Sequence, residues 1–215
     1  MAESHISGTG IMPFEGRAAF GRHGTSIVDR CGVWLSGRAI RRWLPQRMPL
    51  RVLDLGCGYH ATLLRTLQSR LAEGVGIDFG VSEEARRVPG LSFVEGGIEE
   101  ELPRLSAEHF NVVMLISVLE HLPEPLAVLQ QCRRVLRRDG LLLVNVPTWW
   151  GKSLLEFSAF RLGTSPAEEM DDHKMYYGKR DLWPLLVKAG FRPREIRLCY
   201  HKLGLNLFAA VGCVS

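Results

Sequence analysis

The stretch Arg51-Val52-Leu53-Asp54-Leu55-Gly56-Cys57-Gly58-Tyr59-His60 decides the fold of this chain. It opens as an apolar run of strand length, breaks at two glycines one residue apart, and leads into the amphipathic segment that starts near Ala61. Glycines at such a strand-to-helix junction let the backbone turn sharply and approach a ligand closely. The first turn of the following helix leaves backbone N–H groups unpaired, and these favour an anion such as a carboxylate.

Outward from this junction, apolar runs alternate with amphipathic segments in the βαβ manner that builds a mostly parallel sheet. Strands are expected at Leu50–Leu55, Gly74–Asp78, Ser92–Glu95, Val112–Ile116 and Leu141–Val146. Runs such as VVMLI and LLLVNV are too uniformly apolar for a sheet with one wet face, so helices should cover both sides. The fold class is α/β, a doubly wound and mostly parallel Rossmann-like sheet. Leu63, Leu64, Leu67 and Leu71 mark one helical face, and Val128, Leu129, Cys132, Val135 and Leu136 mark another. Arg133, Arg134, Arg137 and Arg138 are expected on the last turns of that second helix, where cations complement the dipole. A further helix over Arg180–Ala189 is stopped by Gly190, and β-like segments at Pro193–Tyr200 and Leu205–Cys213 close the chain. Ser26–Trp43 reads as one helix, which divides the chain into an N-terminal helical lid or packing segment, 1–48, and a ligand-binding domain, 49–215.

The spacing of Gly56, Gly58 and Ala61 also satisfies the G-x-G-x-x-G/A form of dinucleotide-binding folds, which leaves a nicotinamide oxidoreductase as a distant alternative. Three features favour another ligand. Asp54 lies two residues ahead of the first glycine, where an anion repels a pyrophosphate but suits the ammonium of an amino acid. Asp78 ends the next strand, 22 residues after Gly56, where a carboxylate can accept both hydroxyls of a ribose. The fourth strand then runs into Ile116-Ser117-Val118-Leu119-Glu120-His121-Leu122-Pro123, rich in polar groups at the edge where such sheets bind ligands.

Composition narrows the class further. With 215 residues, 46% hydrophobic and 23% charged, the chain can bury one ordinary globular core. A net charge of +4 without an aromatic-interleaved basic tract gives no indication of a nucleic-acid partner. The five cysteines are scattered and lack CxxC spacing, so neither disulfides nor a metal site is expected. The polar opening MAESHISGTG and the lack of any apolar stretch near ~20 residues point to a cytoplasmic protein.

VLDLGCG, GVGIDFG, FNVVMLISVLEHLPEP, VLRRDGLLLVNVP and LLVKAGF, in this order over Arg51–Phe191, resemble successive motifs of class I S-adenosylmethionine-dependent methyltransferases. The resemblance is to the small-molecule branch that includes quinone and glycan enzymes. It implies a seven-stranded sheet, S-adenosyl-L-methionine as cofactor and S-adenosyl-L-homocysteine as its product. It also implies that Asp54, Gly56 and Gly58, with Cys57 between them, hold the methionine portion and that Asp78 binds the ribose. Phe79 would pack on the adenine, Ile98 and Glu99 would lie near its amino edge, and Ile116 and Ser117 would line the floor. One departure stands out: where many relatives carry Gly-Asp after the third strand, this chain reads Gly96-Gly97-Ile98-Glu99.

Methyl transfer from a sulfonium is an in-line displacement, and holding carbon and nucleophile ~3–3.5 Å apart supplies much of the rate. A hydroxyl acceptor also needs a base, and histidine titrates in the suitable range. His121 in LEHLP and His173 in DDHKMYY are the candidates, each with a turn-stabilising role as the alternative. Asp171 and Asp172 beside His173 lack a second matching cluster, so no metal is expected. The segment 148–172 reads as an insertion on the acceptor side. Its apolar positions fit either core packing or a lid over a greasy or sugar acceptor, including one that touches a membrane surface. Trp149, Trp150, Tyr176 and Tyr177 would border that acceptor. The expected activity is O-methylation of a small molecule or a lipid-linked sugar or glycan. A quinone or other lipid-like acceptor is the enzymatic alternative, and a non-catalytic cofactor-binding scaffold is the alternative of another class.

Overall fold

The apolar runs form one sheet in the computed structural model of the chain, which describes residues 19–22, 24, 27–46, 49–151 and 175–212. After helix α1 (Ile27–Trp43) come β1 (Leu50–Leu55), α2 (Thr62–Leu67), β2 (Leu71–Asp78), α3 (Glu83–Arg86) and β3 (Leu91–Glu95). These are followed by α4 (Ile98–Glu101), β4 (Phe110–Ile116), α5 (Pro125–Val135), β5 (Leu136–Pro147), α6 (Lys179–Lys188), β6 (Ile196–His201) and β7 (Asn206–Gly212). The strand order is β3-β2-β1-β4-β5-β7-β6. All pairs are parallel except those made by β7, which runs antiparallel to both β5 and β6. The short turn from His201 to Asn206 makes β6 and β7 a hairpin, and a hairpin pairs antiparallel.

Alternate residues of the central strands enter two different cores, as the period of two requires. Leu53, Leu55, Val113, Leu115, Leu142 and Val144 pack with Val128, Leu129 and Cys132 of α5 and with Leu182 and Leu186 of α6. Val52, Val112, Met114, Leu141 and Leu143 pack on the opposite face with Leu64 and Leu67 of α2 and with Ile40 of α1. Helix α1 is joined to this second layer by Arg41, whose guanidinium donates to the Thr66 carbonyl at 3.1 Å.

Two expectations about helix limits are corrected. Leu71 does not extend the apolar face of α2; the helix closes at Leu67, a 3-10 turn spans Gln68–Arg70, and Leu71 opens β2. Arg137 and Arg138 do not belong to the last turn of α5, because Leu136 pairs with Phe110 and the chain is already strand there. Lateral pairing with β4 outweighs the continuation of the helical pattern.

Candidate functional site

The order of strands reverses at β1, whose neighbours are β2 and β4, so the carboxyl ends of β1 and β4 flank a crevice of the kind that binds ligands in open α/β sheets. The glycine loop lies there. Gly56 N–H and Cys57 N–H both donate to the Ile77 carbonyl, at 2.8 and 3.3 Å, so the loop leaves β1 while still gripping β2. Gly56 has φ of 71°, and a Cβ on it would stand 2.4 Å from Cγ2 of Val118. Glycine therefore serves twice, in the left-handed backbone and in the close approach of the turn after β4. Cys57 points inward, since a Cβ on Gly76 would come within 2.8 Å of its sulfur. Burial, followed by the charges of Asp54 and Asp78, pushes its thiol well above the usual range, so it packs rather than reacts. Outside the loop, the Phe20 carbonyl accepts from Tyr59 N–H at 2.8 Å, which lays residues 19–22 against the loop.

The two acids are held differently. Asp78 accepts from Gly58 N–H through Oδ2 and from Phe79 N–H through Oδ1, both at 2.8 Å. Burial raises its carboxyl and the two backbone bonds pull it back down. Asp54 is buried, and its Oδ2 has no hydrogen-bond partner. Burial first, then repulsion from Asp78, pushes its carboxyl up to about 8. A ligand ammonium placed beside it supplies the missing donor and restores the charged form. The residues present thus fit an amino-acid-bearing cofactor.

At the end of β4, half-buried Ile116 is followed by Ser117, a non-glycine residue at φ 59°. That conformation is secured by β5: Ser117 N–H donates to the Asn145 carbonyl at 2.8 Å, and the Asn145 amide donates to the Ser117 hydroxyl at 3.3 Å. Glu120 and His121 occupy the 3-10 turn Leu119–His121; the glutamate is buried and the histidine half-buried. Ile98 and Glu99 open α4, and Glu99 accepts from Glu124 N–H at 3.3 Å, tying α4 to the start of α5 across a cavity of about 420 Å³. Trp149 and Trp150 lie just beyond β5, 57% and 80% exposed, with the Trp149 ring 5.4 Å from that of Tyr176. Tyr177 sits deeper, 1% exposed, in the core on the α5–α6 side. His173 and most of 148–172 fall outside the described residues.

Sequence reasoning passed over Glu120, Asn145, Lys202 and His201. Among the described residues, the buried side-chain atoms without a partner are Asp54 Oδ2, Glu120 Oε2, Asn145 Oδ1 and His201 Nε2. All four residues lie at or just beyond the same edge of the sheet, near the carboxyl ends of β1, β4 and β5 and at the β6–β7 turn. Buried polar groups are ordinarily paired, so their place along one edge marks that edge as the ligand side of the sheet. An asparagine in the apolar run LLLVNV was the available signal for Asn145.

An open sheet with a glycine loop and two acids at its switch point defines the class as an α/β protein with a nucleotide-type ligand site. Within that class the chain belongs to the methyltransferase-domain family, whose model matches residues 33–196. It is similar to the ubiquinone biosynthesis O-methyltransferase of Hahella chejuensis, 32% identical over 157 residues, covering 69% of this chain and 63% of that protein. It is also similar to the protein of the same name from Pseudomonas putida, 33% identical over 109 residues and covering 46% of each. The matches therefore span about half to three-fifths of these relatives' length. In fold it resembles a SAM-dependent methyltransferase from Archaeoglobus fulgidus, with a TM-score of 0.64 at 17% identity over 89% of this chain and 96% of that one.

Proposed function

We propose that the chain is an S-adenosylmethionine-dependent methyltransferase that methylates a hydroxyl of a small molecule. The observation that carries this reading is the buried, unpartnered Oδ2 of Asp54 beside the glycine loop, a site that calls for a cation. The bound cofactor supplies an electrophilic methyl on a sulfonium. Asp54 receives the ammonium of its methionine portion, while Gly56 and Gly58 keep the loop close enough for contact. Asp78, already oriented by two backbone N–H groups, accepts from the ribose hydroxyls, and Phe79 covers the adenine. Ile116 and Ser117 form the floor, and Ile98 and Glu99 border the adenine edge. His121, on the turn after β4, takes the proton of the acceptor hydroxyl.

The names of the relatives favour an aromatic hydroxyl on a quinone-type acceptor, and the exposed Trp150 and Trp149, the latter beside Tyr176, offer flat apolar faces for such a ring. The test pairs calorimetric titration of the full chain with S-adenosylmethionine and measurement of S-adenosylhomocysteine release with catechol and with glucose. Cofactor binding with catechol-dependent release is the expected result. Binding without release would favour a cofactor-binding scaffold, and release with glucose alone would favour a sugar acceptor. Absence of cofactor binding would overturn the assignment.

A further inference from the structure

Glu120 is 1% exposed and its Oε2 has no partner. The groups that act on it come from two other elements. Lys202, on the β6–β7 turn, stabilises its charge, while Tyr177, just ahead of α6, feels it as a repulsion. Lys202 in turn faces Cys31 of α1, and its ammonium lies 3.6 Å from where a Cβ on Gly32 would stand. His201, next in the chain, feels the lysine's charge and keeps its own Nε2 unpaired.

The turn that carries the lysine is strained. Lys202 and Leu203 have φ of 51° and 58°, two consecutive non-glycine residues in the left-handed region. Thr148 braces it from the end of β5: its hydroxyl donates to the Gly204 carbonyl at 2.8 Å, and its N–H donates to the Leu205 carbonyl at 2.9 Å. The fold therefore holds a strained turn against the ligand edge and brings a lysine to an acid that still lacks a donor. Lys202 and His201 are half-buried and Leu203 is fully exposed.

Resting on the reading of the chain as a hydroxyl methyltransferase, we propose that Glu120 is an acceptor-binding residue, whose free oxygen takes the hydrogen bond of the hydroxyl neighbouring the one methylated, with Lys202 as its positioning residue. Burial pushes the Glu120 carboxyl up to about 8 even with a backbone hydrogen bond and the lysine charge pulling it down, so the acid is protonated near neutral pH. A protonated acid can still accept, but the carboxylate accepts a hydroxyl far more strongly.

The experiment uses the full chain saturated with S-adenosylhomocysteine and measures binding of catechol and of 1,2-dimethoxybenzene, the same ring without hydroxyls, by ligand-observed NMR. The wild type should favour catechol by roughly tenfold or more, the scale of one charge-assisted hydrogen bond. Glu120→Gln should remove most of that preference while S-adenosylhomocysteine affinity holds. Lys202→Met should move the pH at which catechol binding half-develops upward by about one unit, and Lys202→Arg should restore it. Wild type that does not distinguish the two rings, or a Glu120→Gln protein that still does, overturns the proposal. If Glu120→Gln does not fold, the Lys202→Met profile decides: an unmoved midpoint overturns it. Hydroxyl-selective binding without methyl transfer would defeat the assigned activity and leave this subsite standing. Transfer to catechol that is indifferent to both substitutions would do the reverse.

Discussion

Asp78 grips the glycine loop and the start of its own following segment with both carboxylate oxygens, whereas Asp54, at the end of the adjacent parallel strand, keeps one buried oxygen without a partner. The first acid is already satisfied by the protein. The second awaits a ligand, and this difference sets the sign of several experiments.

Asp54→Asn should stabilise the ligand-free protein at alkaline pH and weaken cofactor binding. The folded-state carboxyl sits at about 8, above its usual value of 3.8. Its contribution to stability is therefore full below about pH 4 and is lost as pH rises through about 8. Urea unfolding across this window should show a shallower decline for the variant than for wild type. Calorimetry should show cofactor affinity reduced roughly tenfold or more, because a charge-assisted bond to the ammonium is lost. Equal slopes and equal affinities would remove Asp54 from the site.

Asp78→Ala should weaken S-adenosylmethionine binding by ~1–3 kcal/mol, the cost of lost hydrogen bonds to a charged acceptor. It also frees the N–H groups of Gly58 and Phe79, so protection of those amides against hydrogen exchange should fall. Unchanged affinity would sink the ribose assignment.

Gly56→Ala should destabilise the fold through two separable causes. Its φ of 71° disfavours any side chain, at ~1 kcal/mol, and the new Cβ meets Val118 at 2.4 Å. Adding Val118→Ala should relieve the contact but not the backbone cost. Thermal unfolding of the two singles and the double would show positive coupling; strict additivity would mean that the loop shifts away from Val118.

His121→Ala should lower turnover with a phenolic acceptor by ~10²-fold while cofactor affinity holds, as expected when a base is removed and binding is spared. Normal turnover would leave proximity, with Glu120 as the residue that orients the acceptor.

Much of this molecule was written locally. The apolar runs marked the central strands because a strand buried on both faces has few sequence alternatives, and β1 was read to the residue. Gly56, Gly58, Asp54 and Asp78 were legible because a tight strand-to-helix turn restricts residue types and because the acids stand at set distances from it. What the chain does not announce is which distant edges meet. Leu136 leaves the helical pattern only because Phe110 is beside it to pair with. His201 and Lys202 are unremarkable as sequence, and the meaning of these two, as of Glu120 and Asn145, arises when β4, β5 and the antiparallel β7 hairpin bring their ends to one side of the sheet. Local propensity determined the strands and the glycine loop. Strand order and burial, which depend on contacts between residues far apart in the chain, decided which polar groups were left without partners and so where a ligand is needed.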